Sequence, residues 1–188
     1  MWHVANCPHV ILLEGWRHAG ASSQPRPSPQ KKENNVSMLY LAQPENQQQL
    51  EWLDGGTLAV LLDGQATDGQ LMMGRFDVSE GEAPPYHKHL REDEVFMLIK
   101  GTALVWYDDQ EHELAEGGVV FLPKGVPHAY RITSAKADLL MLNTPAGIEG
   151  MFRAVGRDKS TARPPGFVVT PDPAIAEEYG NVVLGPPR

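Results

Sequence analysis

The chain has 188 residues, a length that suits one domain with a sizeable core. Its 24 acidic and 16 basic residues give a net charge of −8 with no basic stripe, so no nucleic-acid partner is expected. No apolar run approaches the ~20 residues of a membrane span. The single cysteine, Cys7, permits no intrachain disulfide, so the predicted compartment is the cytoplasm, with no membrane partner.

Residues 1–37 differ from the rest. They hold the cysteine, Trp2, Trp16, His3, His9 and His18, then a Ser/Pro/Gln-rich run from Ala21 to Gln30. They lack the basic start of a secretory signal, and the apolar run Val10 to Leu13 ends at Glu14. The composition predicts a disordered N-terminal extension ahead of a natural start at Met38. Cys7, His9 and His18 show no recognised metal-site spacing.

Residues 38–188 read as one domain of short strands. Glu45 to Trp52 is polar and predicts a helical turn or loop, and Thr57 to Leu62 is a β-type run. Leu71 to Val78 alternates and leads into the turn at Ser79-Glu80-Gly81. His87 and His89, two apart on an extended strand, point to one face. Leu90 to Asp93 reads as a polar turn, with Arg91, Glu92 and Asp93 solvated. Glu94 then opens the apolar run Val95 to Ile99. If that run pairs beside the His-x-His strand, the carboxylate arrives next to the two rings. Thr102 to Tyr107 and Glu111 to Leu114 predict a hairpin about Asp108-Asp109-Gln110, with His112 exposed. Gly118 to Leu122, His128 to Thr133 and Asp138 to Asn143 complete an antiparallel barrel, with Lys124 solvated in a Pro-x-Gly loop. The remainder reads as helix and tail. Ile148, Met151, Phe152 and Val155 share a helical face, and Asp172 caps a second helix that stops at Gly180.

His128 supplies a further donor. Three imidazoles and one carboxylate (His87, His89, Glu94 and His128) form a nitrogen-rich set that suits one divalent transition metal (Fe, Mn, Ni, Co, Cu or Zn) over calcium or magnesium. Four protein ligands leave open positions for a substrate oxygen or dioxygen. Glu94 is either a ligand alone or also a base that takes a substrate proton. Strand parity turns Phe96 and Leu98 inward with Glu94, and Tyr130 and Ile132 inward with His128. Phe96, Tyr130 and Ile132 are therefore the candidate substrate-binding residues, and Tyr130 has the hydroxyl suited to a substrate contact.

The spacings Gly81-x5-His87-x-His89-x4-Glu94-x6-Gly101 and Gly117-x5-Pro123-x-Gly125-x2-His128 resemble the two motifs of the cupin superfamily. Ile132 stands where that pattern often has a non-ligating Asn. The resemblance implies an all-β, single jelly-roll barrel with short C-terminal helices, and the four motif residues as ligands. Val95-Phe96, Phe121 to Lys124, His128 to Arg131 and Pro145 to Phe152 further resemble bacterial single-cupin quercetin 2,3-dioxygenases. That likeness implies a metal-dependent dioxygenase that opens a flavonol with dioxygen and releases carbon monoxide, with Glu94 as base. The expected partners are a small aromatic substrate and dioxygen, and the expected assembly is a homodimer. A redox-neutral polyketide cyclase or isomerase, and a non-catalytic small-molecule-binding cupin, are the alternatives.

Overall fold

Alternation of apolar and polar residues governs the architecture. The structure, a computed structural model, describes residues 39–107 and 110–188. The expected extension over residues 1–37, and the hairpin tip at Asp108 and Asp109, lie outside the described residues. In chain order the strands are β1 (Gln48–Glu51), β2 (Thr57–Leu62), β3 (Met72–Ser79), β4 (Tyr86–His89), β5 (Asp93–Lys100), β6 (Thr102–Tyr107), β7 (Gln110–Ala115), β8 (Val119–Leu122), β9 (His128–Ile132) and β10 (Lys136–Thr144). Helix α1 (Glu149–Val155), β11 (Arg157–Asp158), α2 (Pro173–Glu178) and β12 (Asn181–Gly185) follow.

Two antiparallel sheets form a jelly-roll sandwich, ordered β11-β1-β2-β3-β10-β5-β8 and β12-β4-β9-β6-β7. The core is the space between their inner faces. Met72, Phe76 and Val78 on β3, Phe96 and Leu98 on β5, and Leu139 and Met141 on β10 fill it from the larger sheet. Ala103, Val105, Tyr130 and Ile132 fill it from the smaller one. Truncating a fully buried leucine here, such as Leu98, costs roughly 2–5 kcal/mol in comparable cores.

The turn after β5 requires a glycine. Gly101 has φ +101°, and a Cβ there meets Ser134 Oγ at 2.5 Å and the Lys136 carbonyl oxygen at 2.7 Å. A glycine is also needed where α1 meets the end of α2, since a Cβ on Gly150 would clash with the Tyr179 ring. Asp172 caps α2, its carboxylate accepting from Ala174 N at 2.9 Å, with Pro173 in the first turn.

Three expectations are corrected. β5 does not pair beside β4: β4 already has β12 and β9 as neighbours, so the chain crosses after His89 and β5 joins the opposite sheet between β10 and β8. The stretch Glu45 to Trp52 is not only turn. After a 3-10 turn at Pro44–Asn46, β1 pairs with β2 and β11. The C-terminal tail contains β12, which pairs with the histidine strand β4. The backbone donors of β4 need partners whatever the side chains say, and β12 supplies them.

Candidate metal centre and its cavity

The motif side chains converge from both sheets. Alternation on β4 buries His87 and His89 and leaves Tyr86 and Lys88 half-buried. On β9, His128 stands directly opposite His87. Gly125 N donates to the His89 carbonyl at 2.6 Å, which ties the loop before β9 to the end of β4. Glu94 reaches across from the opposite sheet. One ligand atom from each of His87, His89, Glu94 and His128 lies within 4.8 Å of the others, and all four residues are buried.

The ring nitrogens divide their roles. His87 Nδ1 donates to the Pro85 carbonyl at 2.7 Å and His128 Nδ1 to the Val126 carbonyl at 2.9 Å. His89 Nδ1 lies 2.8 Å from Glu92 Oε1, off the N–H axis, so this contact is a charge pairing more than a directional hydrogen bond. Nε2 of His89 and of His128 each lie 3.1 Å from Glu94 Oε2. Outer acceptors at Nδ1 leave Nε2 for the centre, the arrangement that orients metal-binding imidazoles.

The electrostatics fit a cation. Burial disfavours charge on Glu94, but His89 and His128 outweigh it and hold the carboxyl well below its usual range. Burial alone lowers His89, yet the Glu94 and Glu92 carboxylates push it up to about 10. Burial, with the neighbouring His128 and His89, takes His87 down to about 3. An anionic carboxylate thus holds a proton at His89, and a divalent ion that displaces it meets a deprotonated donor set. The cluster is a candidate divalent-metal site.

Residues 74–145 match the Cupin_2 family, described as "Cupin domain". The chain carries a cupin domain. Quercetin 2,3-dioxygenase from Bacillus subtilis is 29% identical over 90 residues, 48% of this chain and 27% of that protein. An uncharacterized protein from Aquifex aeolicus is 33% identical over 69 residues, 37% of this chain and 55% of its own length. The chain therefore spans less than two thirds of either relative. Among solved structures, KdgF from Halomonas sp. has a TM-score of 0.51 at 15% identity, covering 56% of this chain and 94% of that one. At that identity the likeness concerns the fold.

A cavity of about 70 Å³ opens beside the cluster. His87, His89 and Glu94 form one wall, while Phe76, Phe96, Tyr130 and Phe152 supply aromatic surface. The C-terminal part closes it with Pro171 and Ala176, and with Asn181 and Val183 of β12. Of the three residues expected to contact substrate, Phe96 and Tyr130 line the cavity, their rings 5.1 Å apart edge-to-face. Ile132 is buried in the core and is not among the lining residues.

Other expected placements differ. Glu92 is not a solvated turn residue, being 2% exposed. It turns inward because His89 offers a charge partner in a site that excludes water. Its neighbours anchor the turn: Arg91 Nη2 donates to the Glu178 carbonyl, and Asp93 Oδ1 accepts from Lys124 N, both at 2.9 Å. His112 is half-buried and stacked on Tyr107 at 4.5 Å, not freely exposed, and lies outside the cluster.

Glu82 and Asn143 escaped the sequence reading. Asn143 ends the inward-facing series on β10, opposite Glu94, fully buried with neither amide atom hydrogen-bonded. A polar residue at inward parity was the available signal. Glu82 follows the motif glycine, 1% exposed, and accepts from the Tyr130 hydroxyl at 3.2 Å.

Burial pushes the Glu82 carboxyl up to about 7, against the Tyr130 hydrogen bond that lowers it. An unfolded chain releases this proton near pH 4.5, and the folded chain keeps it to about 7. The stability it contributes is therefore full below pH 4.5 and lost as pH rises through 7, by roughly 3 kcal/mol. Glu82→Gln, neutral throughout, is expected to remove that slope. Urea unfolding of chelator-treated protein at pH 5 and pH 8 checks it, and equal pH dependence in both proteins contradicts it.

Proposed function

We propose that the protein is a metal-dependent dioxygenase of quercetinase type, acting on a hydroxylated aromatic or enol substrate. The observation that carries this reading is a cluster of four buried donors, three of which (His87, His89 and Glu94) form a wall of an aromatic-lined cavity. Likeness to a quercetin 2,3-dioxygenase over 48% of the chain supports the same choice.

His87, His89, Glu94 and His128 hold one divalent transition metal. When bound, the ion supplies Lewis-acid charge and open positions for the substrate oxygen and dioxygen. Glu94, kept anionic by its imidazole neighbours, takes the substrate hydroxyl proton at a carboxylate oxygen. Phe96 and Tyr130 pack against the ring and exclude water. Ile132 acts behind them by filling the core. The substrate's own carbon frame supplies the electrons for dioxygen, so no external reductant is required.

The cavity of about 70 Å³ is roughly half the ~150 Å³ that accommodates benzene in an apolar core. Entry of a ring therefore moves the wall at Pro171 and Ala176 outwards. That wall follows a largely exposed run, Ser160 to Gly166, outside either sheet.

Flavonols are the first substrates to try, on anaerobically purified protein loaded in turn with each candidate metal. The expected result is ultraviolet loss of flavonol with matched oxygen uptake and trapped carbon monoxide. Turnover of a substrate without oxygen uptake overturns the dioxygenase reading in favour of a redox-neutral cyclase or isomerase.

A further inference from the structure

Asn181 opens β12, is 7% exposed and lines the cavity. It stands opposite His89 in the antiparallel ladder, so both side chains leave the sheet on one face. Its Nδ2 donates to Met151 Sδ at 3.6 Å, and its Oδ1 is buried with no hydrogen-bond partner. The thioether is a weak acceptor that prefers the amide N–H to the carbonyl, which leaves the oxygen as the group without a partner.

Two other polar groups that line the cavity are occupied. The Tyr130 hydroxyl donates to Glu82, and Asp172 accepts from Ala174 N. Around Asn181 the lining is largely apolar, with Met151, Phe152 and Val183. An apolar side chain would fill this space without leaving a buried acceptor unpaired, so the fold gains nothing from the amide oxygen.

We propose that Asn181 is a specificity-determining residue that accepts a hydrogen bond from a second hydroxyl on the substrate ring. Resting on the proposed function, this narrows the substrate class to aromatics or fused-ring enols with two hydroxyl groups. One faces Glu94 and the metal cluster, and the other faces β12. The paired strands β12 and β4 lie about 4.8 Å apart, so a ring that meets Asn181 also lies beside His89 of the cluster. A cavity that holds a buried acceptor discriminates against a ligand with no donor for it, because the acceptor then stays unpaired.

The test uses zinc-loaded protein, which binds without redox turnover. Catechol, resorcinol, phenol, 2-fluorophenol and 3-fluorophenol are titrated calorimetrically, fluorine replacing one hydroxyl at similar size without a donor. At least one dihydroxybenzene is expected to bind about tenfold more tightly than its fluorophenol counterpart. Asn181→Leu and Asn181→Ala are each expected to bring that ratio within about twofold of unity, with zinc content and phenol affinity unchanged. An unchanged ratio in both variants overturns the inference and leaves the dioxygenase reading standing. A ratio abolished by both variants, with no oxygen uptake from the same compounds under any metal, keeps Asn181 and removes the dioxygenase. Failure of the zinc protein to bind any of the five compounds overturns the inference, as does failure of both variants to fold, which makes Asn181 structural.

Discussion

Alanine at His87, His89, Glu94 or His128 is expected to strip most of the bound transition metal, whereas His112→Ala leaves it in place. The four residues offer ligand atoms within 4.8 Å of one another in a buried site. Removing one leaves an incomplete set in which water must enter an otherwise apolar interior. His112, stacked on Tyr107 in the β6–β7 hairpin, is outside that set. Glu92→Gln is the graded case. It keeps the size of the side chain but removes the charge 2.8 Å from His89 Nδ1, and a roughly 10–100-fold loss of metal affinity is expected. Inductively coupled plasma analysis of gently purified variants, with competition titration for Glu92→Gln, reads each outcome. Chelation should lower the thermal midpoint of the wild type, since a ligand at 100 times its Kd adds about 2.7 kcal/mol. Absence of metal that can be restored to the wild type, or equal loss in His112→Ala, contradicts the ligand assignment.

Glu94→Gln is expected to damage turnover far more than metal occupancy. The amide keeps an oxygen donor and the shape of the side chain, but it cannot accept the substrate proton, and general-base contributions are commonly about 10²–10⁴-fold. His89→Ala instead removes occupancy and turnover together, because an imidazole is lost and Glu92 is left as a buried, unpaired carboxylate. Steady-state kinetics normalised to measured metal content separate the two. A Glu94→Gln protein whose turnover falls only in proportion to its metal would make Glu94 a ligand without a base role.

The site was legible to the extent that it followed strand parity. His87 and His89 share a face because they are two apart, and Phe96 and Tyr130 turn inward with Glu94 and His128 because β5 and β9 alternate. Most strands were legible for the same reason: Thr57–Leu62 and Thr102–Tyr107 coincide with their apolar runs. The short strands β1, β11 and β12 were not, since two to five residues carry too little periodicity to stand out from loop. Their pairing is decided by neighbours far along the chain.

Local sequence determined the alternating strands, the cap at Asp172, the turn at Gly101 and the identity of four donors, because each depends on residues a few positions apart. Tertiary structure alone decided how those donors meet. Glu94 reaches the histidines across the space between two sheets, and not along a shared ladder. Glu92 becomes an inner partner of His89, and Asn181, brought by the last strand from 92 positions beyond His89, stands beside it in register. Such placements follow from which backbone edges remain to be paired and which charges must be met once water is excluded, and no short window of sequence contains either condition.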